Sequence, residues 1–107
     1  MSPHGLRQND YLLHMLEAAV LAQGYVAGMT KAEFREDKRT QQAVILNIMV
    51  IGEAATKLAD EYPEFITRFP EVEWKSMRGM RNRLAHGYFD INLDIVWETV
   101  KQALPVL

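Results

Sequence analysis

Apolar residues recur at three- and four-residue intervals through most of the chain, which is the spacing of one face of an α-helix. From Asn9 onward this pattern includes Leu12, Leu16, Ala19, Val20 and Val26. Gly28 can adopt the left-handed turn that ends a helix, so we predict a first long helix up to that point. A second long helix is predicted to run to about Glu61, with its buried side formed by Val44, Ile45, Ile48, Ile51, Ala55 and Leu58.

Polar residues at fixed spacing mark where helices begin. Thr30 and Glu33 have the spacing of a capping box, which predicts a short helix in the segment "TKAEF". Asp37 is a suitable cap for the second long helix, because its side chain can accept from the free N–H groups of the first turn.

The second half of the chain continues the helical pattern. Pro63 and Pro70 bracket the connecting segment "PEFITRFP", which has room for one helical turn. We predict a helix from about Trp74 to Ala85 and a last helix from about Leu93 to Leu104, capped by Asn92 and ended by Pro105. Trp97, Val100 and Leu104 form an apolar stripe on that helix, which favours core packing.

No segment alternates with period two over enough residues to predict a strand, and neither a repeat nor a low-complexity linker is present. The predicted fold is therefore an all-α bundle of four main helices plus a short one, in a single domain over residues 1–107.

Composition excludes several kinds of site. The 107 residues are 49% hydrophobic and 24% charged, which is ordinary for a globular domain, and there is no cysteine. His4, His14 and His86 have no Asp or Glu at a recognisable metal-ligand spacing, so we expect neither a metal site nor a cofactor. No signal peptide is apparent, and apolar runs are interrupted before the roughly 18 residues that a membrane span needs. We therefore expect a cytoplasmic protein.

The net charge of −2 conceals one basic segment. Lys75, Arg78, Arg81 and Arg83 carry +4 with no acid among them, which leaves −6 for the rest of the chain. Such a segment can bind a phosphate although the whole surface is not basic.

Within the predicted fourth helix, Asn82 and His86 lie on one face and Arg78 lies one turn before Asn82. Arg81 and His86 point about 140° apart on an unbroken helix. We therefore expect the helix to end near His86, with the imidazole free to turn back toward Arg81. A histidine that moves a ribose proton and an arginine that holds the phosphate would suffice to cut RNA without a metal. Alternatively, His86 only interacts with the last carbonyls and the dipole of the helix, and the arginines form a solvated or ion-paired face.

Glu53 and two aromatic residues also have two interpretations each. Glu53 lies among Ile51, Gly52, Ala54 and Ala55, a face otherwise suited to close helix packing. It is either a buried carboxylate that orients Arg81 or His86, or an ordinary edge residue. Tyr88 and Phe89, taken alone, fit core or interface packing better than a chemical role.

The segment "MRNRLAHGYFDINLDIVW" closely resembles the signature of the HEPN superfamily, specifically the HepT-type toxins of bacterial and archaeal toxin–antitoxin pairs. These toxins carry R-x4-H-x-Y, here Arg81, His86 and Tyr88, with a polar residue after the arginine, here Asn82. The segment "DKRTQQAVILNIMVIGEAATKL" resembles the second long helix of the family, and "ALP" near the end is also similar. The resemblance covers about residues 9–105.

By this resemblance the chain would be a metal-independent endoribonuclease that works as a homodimer, with Arg81 and His86 of each subunit in a shared cleft. The implied partners are RNA and a nucleotidyltransferase of the MntA type, which would neutralise the toxin by attaching AMP to Tyr88. The competing hypothesis is a catalytically idle HEPN module that serves as a scaffold for a nucleotidyltransferase.

Overall fold

A computed structural model describes residues 8–87 and 90–103, and all regular structure in these two ranges is helical. The elements, in chain order, are α1 (Gln8–Val26), α2 (Lys31–Glu36), α3 (Lys38–Glu61), α4 (Pro63–Thr67), α5 (Trp74–His86), α6 (Leu93–Glu98) and a π-helical turn (Thr99–Ala103). The all-α prediction is confirmed. The helical turn expected between the two prolines is α4, and the predicted fourth helix is α5.

The centre of the fold is α3, which packs mainly against α1 and α5. The six residues predicted for its buried side are all buried, together with Gly52 and Ala54. By length and composition alone α3 could also span a membrane, a test that the core helix of a soluble protein passes as well. Here its apolar face is covered by the neighbouring helices.

The face of α1 that lies against the core differs from the sequence pattern. Leu16 and Val20 are exposed, while the buried residues are Tyr11, Met15, Ala18, Ala19, Ala22 and Val26. Three of these are alanines, whose small side chains allow α1 and α3 to lie close together. An apolar strip with Leu13, Leu16 and Val20 is left on the outside of α1.

The predicted caps are all present. Gly28 has a φ of 75°, so it makes the left-handed turn after α1. Thr30 and Glu33 form both hydrogen bonds of a capping box at the start of α2. Asp37 accepts from the Thr40 hydroxyl at 2.7 Å and the Thr40 N–H at 3.1 Å, and these bonds hold the pKa of its carboxyl below the ordinary value.

The helix α6 packs against α2. Asn92 caps α6 as predicted, accepting from two backbone N–H groups. The helix predicted for Leu93–Leu104 is α6 followed by the π-helical turn, and Leu104 and Pro105 lie outside the described residues. Val100 is buried, and Trp97 packs on Phe34 with a ring-centroid distance of 5.4 Å. The apolar stripe therefore packs in the core as far as it is described.

Candidate functional site

The candidate site is built on α5, which is held at both ends. At its start the Trp74 indole N–H donates to the Phe69 carbonyl at 3.0 Å. At its end the Gly87 N–H donates to the Arg83 carbonyl at 2.8 Å, so the helix remains regular through His86. Leu84 is buried in the core, which fixes the rotation of α5 about its own axis. The remaining side chains therefore have defined directions.

Polar side chains share one face of α5. Arg78, Asn82 and His86 follow each other at four-residue intervals, and Lys75 lies one turn before Arg78. Arg78 is half-buried and the other three are exposed. With a rise of about 1.5 Å per residue, the polar stripe from Lys75 to His86 is about 16 Å long. The prediction that Asn82 and His86 lie on one helix face, with Arg78 a turn earlier, is confirmed.

Arg81 lies at the edge of this stripe and reaches α3. Its Nη2 lies 3.0 Å from Glu53 Oε2, and its Nη1 donates to Asn82 Oδ1 at 3.0 Å. The guanidinium side chain is 34% exposed. A guanidinium has five N–H donors, so three remain for an incoming anion while these two contacts persist. Arg81 can therefore bind a phosphate without leaving Glu53.

The sequence offered two partners for Glu53, Arg81 and His86. Its carboxylate contacts Arg81, and among the described contacts it has none with the His86 imidazole. Of the two interpretations left open for Glu53, the burial that the first requires is not observed, because 47% of its side chain is exposed, although the carboxylate does contact Arg81. An ion pair this exposed contributes at most about 1 kcal/mol to stability. Its effect is therefore chiefly on where the guanidinium points.

His86 does not turn back toward Arg81. Because α5 is regular up to His86, the five-residue separation keeps the two side chains about 140° apart around the helix. Within residues 8–87 and 90–103, the imidazole makes no hydrogen bond or ion pair. The predicted helix end near His86 is confirmed, while the described residues give no contact between the imidazole and Arg81 of the same chain. Tyr88 and Phe89 lie outside the described residues.

Gly52 is a contact residue of this site; the sequence placed it on a face suited to close helix packing but gave it no role at the site. A Cβ placed on it would collide with the Cβ of Arg81 and would lie 2.6 Å from the carbonyl oxygen of Met77. A glycine in the interior of a helix costs about 1 kcal/mol relative to alanine, so its presence in α3 is the signal that could have revealed a close approach.

Comparisons with known proteins identify the family of this chain. The profile of the family described as Ribonuclease HepT-like matches residues 15–107. A protein named probable ribonuclease HepT, from Thermococcus cleftensis, is 35% identical over 98 residues, which cover 92% of this chain and 86% of that protein.

Two further relatives carry names of the same kind. A putative RNase from Methanocaldococcus jannaschii is 46% identical over 77 residues, covering 72% of this chain and 61% of that protein. A putative RNase from Caldanaerobacter subterraneus is 34% identical over 97 residues, covering 91% of this chain and 84% of that protein. No solved structure matches the chain significantly.

The family profile covers most of the chain, including all of α3 and α5. The alignment with the Thermococcus protein covers 92% of this chain and 86% of that protein. Together with the helical fold and the Arg81–His86 segment on α5, these matches establish that the chain belongs to the HepT-like ribonuclease family of the HEPN superfamily.

Proposed function

We propose that this protein is a metal-independent endoribonuclease of the cytoplasm and the toxin of a type VII toxin–antitoxin pair. Two copies cut RNA at a cleft that they share. A nucleotidyltransferase of the MntA type silences the toxin by transferring AMP to Tyr88. The proposal rests on the family, on the polar stripe of α5 and on the position of Arg81 beside it.

The regularity of α5 through His86 is the observation that favours a shared cleft. Arg81 and His86 of one chain point in directions too different to act on one phosphate. A two-fold axis beside α5 would bring the polar stripe of a second copy opposite the first, so that Arg81 and His86 from both chains line one groove. The site of a single copy is therefore incomplete.

The surface of α3 beside Arg81 suits such an axis. Leu46 and Val50 are exposed, and at seven- and three-residue intervals they share a helix face with Glu53. Exposed apolar side chains beside a polar site are typical of an interface between protein chains. We assign this face to the contact between the two copies.

In this cleft the residues divide the chemistry between them. His86 accepts the proton of a ribose 2′-hydroxyl, whose oxygen attacks the adjacent phosphorus. As the bond from phosphorus to the 5′-oxygen of the next nucleotide breaks, the protonated His86 gives this proton to the leaving 5′-oxygen. The products end in a 2′,3′-cyclic phosphate and a 5′-hydroxyl. Arg81 binds the phosphate and stabilises the charge that develops on it, while Arg78 and Asn82 bind neighbouring parts of the RNA. Glu53 orients Arg81.

A second function, a catalytically idle scaffold for a nucleotidyltransferase, is favoured by one observation. The Arg81 guanidinium is already engaged by Glu53 and Asn82, as in a structural ion pair. A scaffold would bind the nucleotidyltransferase equally well after either residue of the Arg81–His86 pair was replaced.

The deciding experiment measures cleavage of a single-stranded RNA by the purified, unmodified protein in EDTA. Arg81→Ala and His86→Ala should each abolish cleavage while circular dichroism stays helical. Arg39→Ala and His14→Ala are matched controls, because both residues are exposed and neither lies on α5 or in its basic segment. Activity lost on chelation would contradict the metal-independent mechanism. Intact protein without activity under any condition would favour the scaffold.

A further inference from the structure

We infer that Gly52 is a positioning residue for Arg81: the bare α3 backbone at this point lets α5 approach closely enough for Glu53 to hold the guanidinium. The inference deepens the proposed function, on which the role of Arg81 in catalysis rests. It concerns a residue that contacts neither RNA nor the reacting atoms.

Contacts at both ends of the Arg81 side chain support this positioning role of Gly52. At the stem, the space that a Cβ of residue 52 would occupy is filled by Arg81 itself and by the Met77 carbonyl. At the tip, the next residue of α3 provides the carboxylate that lies 3.0 Å from Nη2. Two consecutive residues of one helix therefore fix the arginine at its base and at its end.

The close approach is specific to this glycine among three helical ones. A Cβ on Gly24 in α1 or on Gly79 in α5 would meet nothing within 4 Å. At Gly52 the Met77 oxygen lies at 2.6 Å from the added carbon, where an ordinary C···O contact needs about 3.3 Å. The two distances differ by about 0.7 Å, so an alanine at position 52 would push α5 outward by about that much or more.

A shift of this size matters because the hydrogen bond between Glu53 and the guanidinium exists only over a narrow range of distances. A separation of 3.0 Å between Nη2 and Oε2 becomes too long for a direct hydrogen bond when α5 moves away. Arg81 would then sample several rotamers, as exposed arginines do. The fold would persist, because Leu84 in the core and the partly buried Trp74 and Met80 still hold α5 in the bundle.

The first test follows the arginine directly and does not depend on RNA. Nitrogen-15 spectra of the guanidinium groups are recorded for the wild type, Gly52→Ala and Gly79→Ala, with the Arg81 signals assigned by their loss in Arg81→Lys. In the wild type and in Gly79→Ala, restricted rotation should give separate Nη resonances for Arg81. In Gly52→Ala these should merge while circular dichroism remains helical. Separate Nη resonances in a folded Gly52→Ala protein would overturn the inference.

The second test compares chemistry with binding. The single-turnover cleavage rate of Gly52→Ala should fall by at least the roughly fivefold expected from losing the Glu53 contact, and by up to about 100-fold because α5 itself is also displaced by about 1 Å. Gly79→Ala should keep the wild-type rate. Affinity for an uncleavable 2′-deoxy analogue of the RNA should stay within about threefold, because the polar stripe is unchanged. Equal losses of rate and affinity would indicate a general structural defect and contradict a positioning role.

The two tests separate this inference from the proposed function. A wild-type protein that cuts no RNA contradicts the function, whereas the guanidinium spectra still decide whether Gly52 positions Arg81. Should Gly52→Ala fail to fold even at low temperature, the wild type and Glu53→Gln decide. Separate Arg81 resonances in the wild type that merge in Glu53→Gln support the inference. Resonances that are merged in the wild type, or that stay separate in Glu53→Gln, overturn it.

Discussion

Replacing Glu53 by glutamine should change binding and catalysis in opposite directions. The substitution keeps the size of the side chain and removes one negative charge, 3.0 Å from the Arg81 guanidinium. RNA binding should become tighter because a repulsion is removed. The cleavage step should become slower because the guanidinium loses its ionic partner.

The size of each effect follows from the geometry. A phosphate bound on the far side of the guanidinium would lie about 7 Å from the carboxylate, where two like charges in water repel by about 0.6 kcal/mol. Removing that repulsion should lower KM about threefold at low salt. At about 0.15 M salt, where the Debye length is about 8 Å, the gain should shrink below twofold. An exposed ion pair contributes about 0.2–1 kcal/mol, so kcat should fall by no more than about fivefold.

Steady-state cleavage of a fluorescent RNA in EDTA, at low and at physiological salt, measures both constants. Asp60→Asn is the matched control, because Asp60 is exposed on the same face of α3, about 10.5 Å further along by two helical turns. That variant removes the same charge and should leave kcat unchanged. A Glu53→Gln enzyme with raised KM, or with wild-type kcat, would refute the view that Glu53 orients Arg81.

Four further outcomes are expected. In light scattering, Leu46→Glu should convert the proposed dimer to a monomer and Leu13→Glu should not, although the two leucines are 61% and 63% exposed; the reverse result would move the interface to α1. Tyr88→Phe should keep RNA cleavage and escape silencing by the nucleotidyltransferase with ATP, and normal silencing would exclude Tyr88 as the acceptor. Phe34→Ala should destabilise the fold by about 3–5 kcal/mol in urea titration, since the ring is fully buried against Trp97. Hydrogen bonds from Thr40 lower the pKa of Asp37 in the folded protein. These bonds therefore stabilise the fold fully at a pH above 3.8, the ordinary pKa, and their contribution is lost as the pH falls through the lower pKa of the folded protein. On acidification, the melting temperature of Asp37→Asn should therefore fall less than that of the wild type. Equal falls in the two proteins would contradict this reasoning.

Local features of this protein could be predicted from the sequence because their physical causes span few residues. The caps at Thr30, Asp37 and Asn92 each need only partners two or three positions away. The buried side of α3 could be predicted because its apolar residues are confined to one side of the helix. The stripe of Arg78, Asn82 and His86 followed from the helical repeat alone.

Only tertiary packing decided which side of α1 is buried. Apolar residues occur on all sides of α1. The periodicity of its sequence therefore does not distinguish Leu16 and Val20, which are exposed, from Met15 and Ala22, which are buried. The selection depends on how closely the α1 backbone can approach α3, and the alanine side meets this requirement.

The arrangement of the site likewise depended on the fold. Glu53 and Arg81 are 28 positions apart, and no local pattern relates them. Their ion pair exists because α3 and α5 cross closely at Gly52, a contact that hydrophobic periodicity does not encode. The separation of Arg81 from His86 was decided by the same fold, because α5 continues through His86 with its direction fixed by Leu84 in the core.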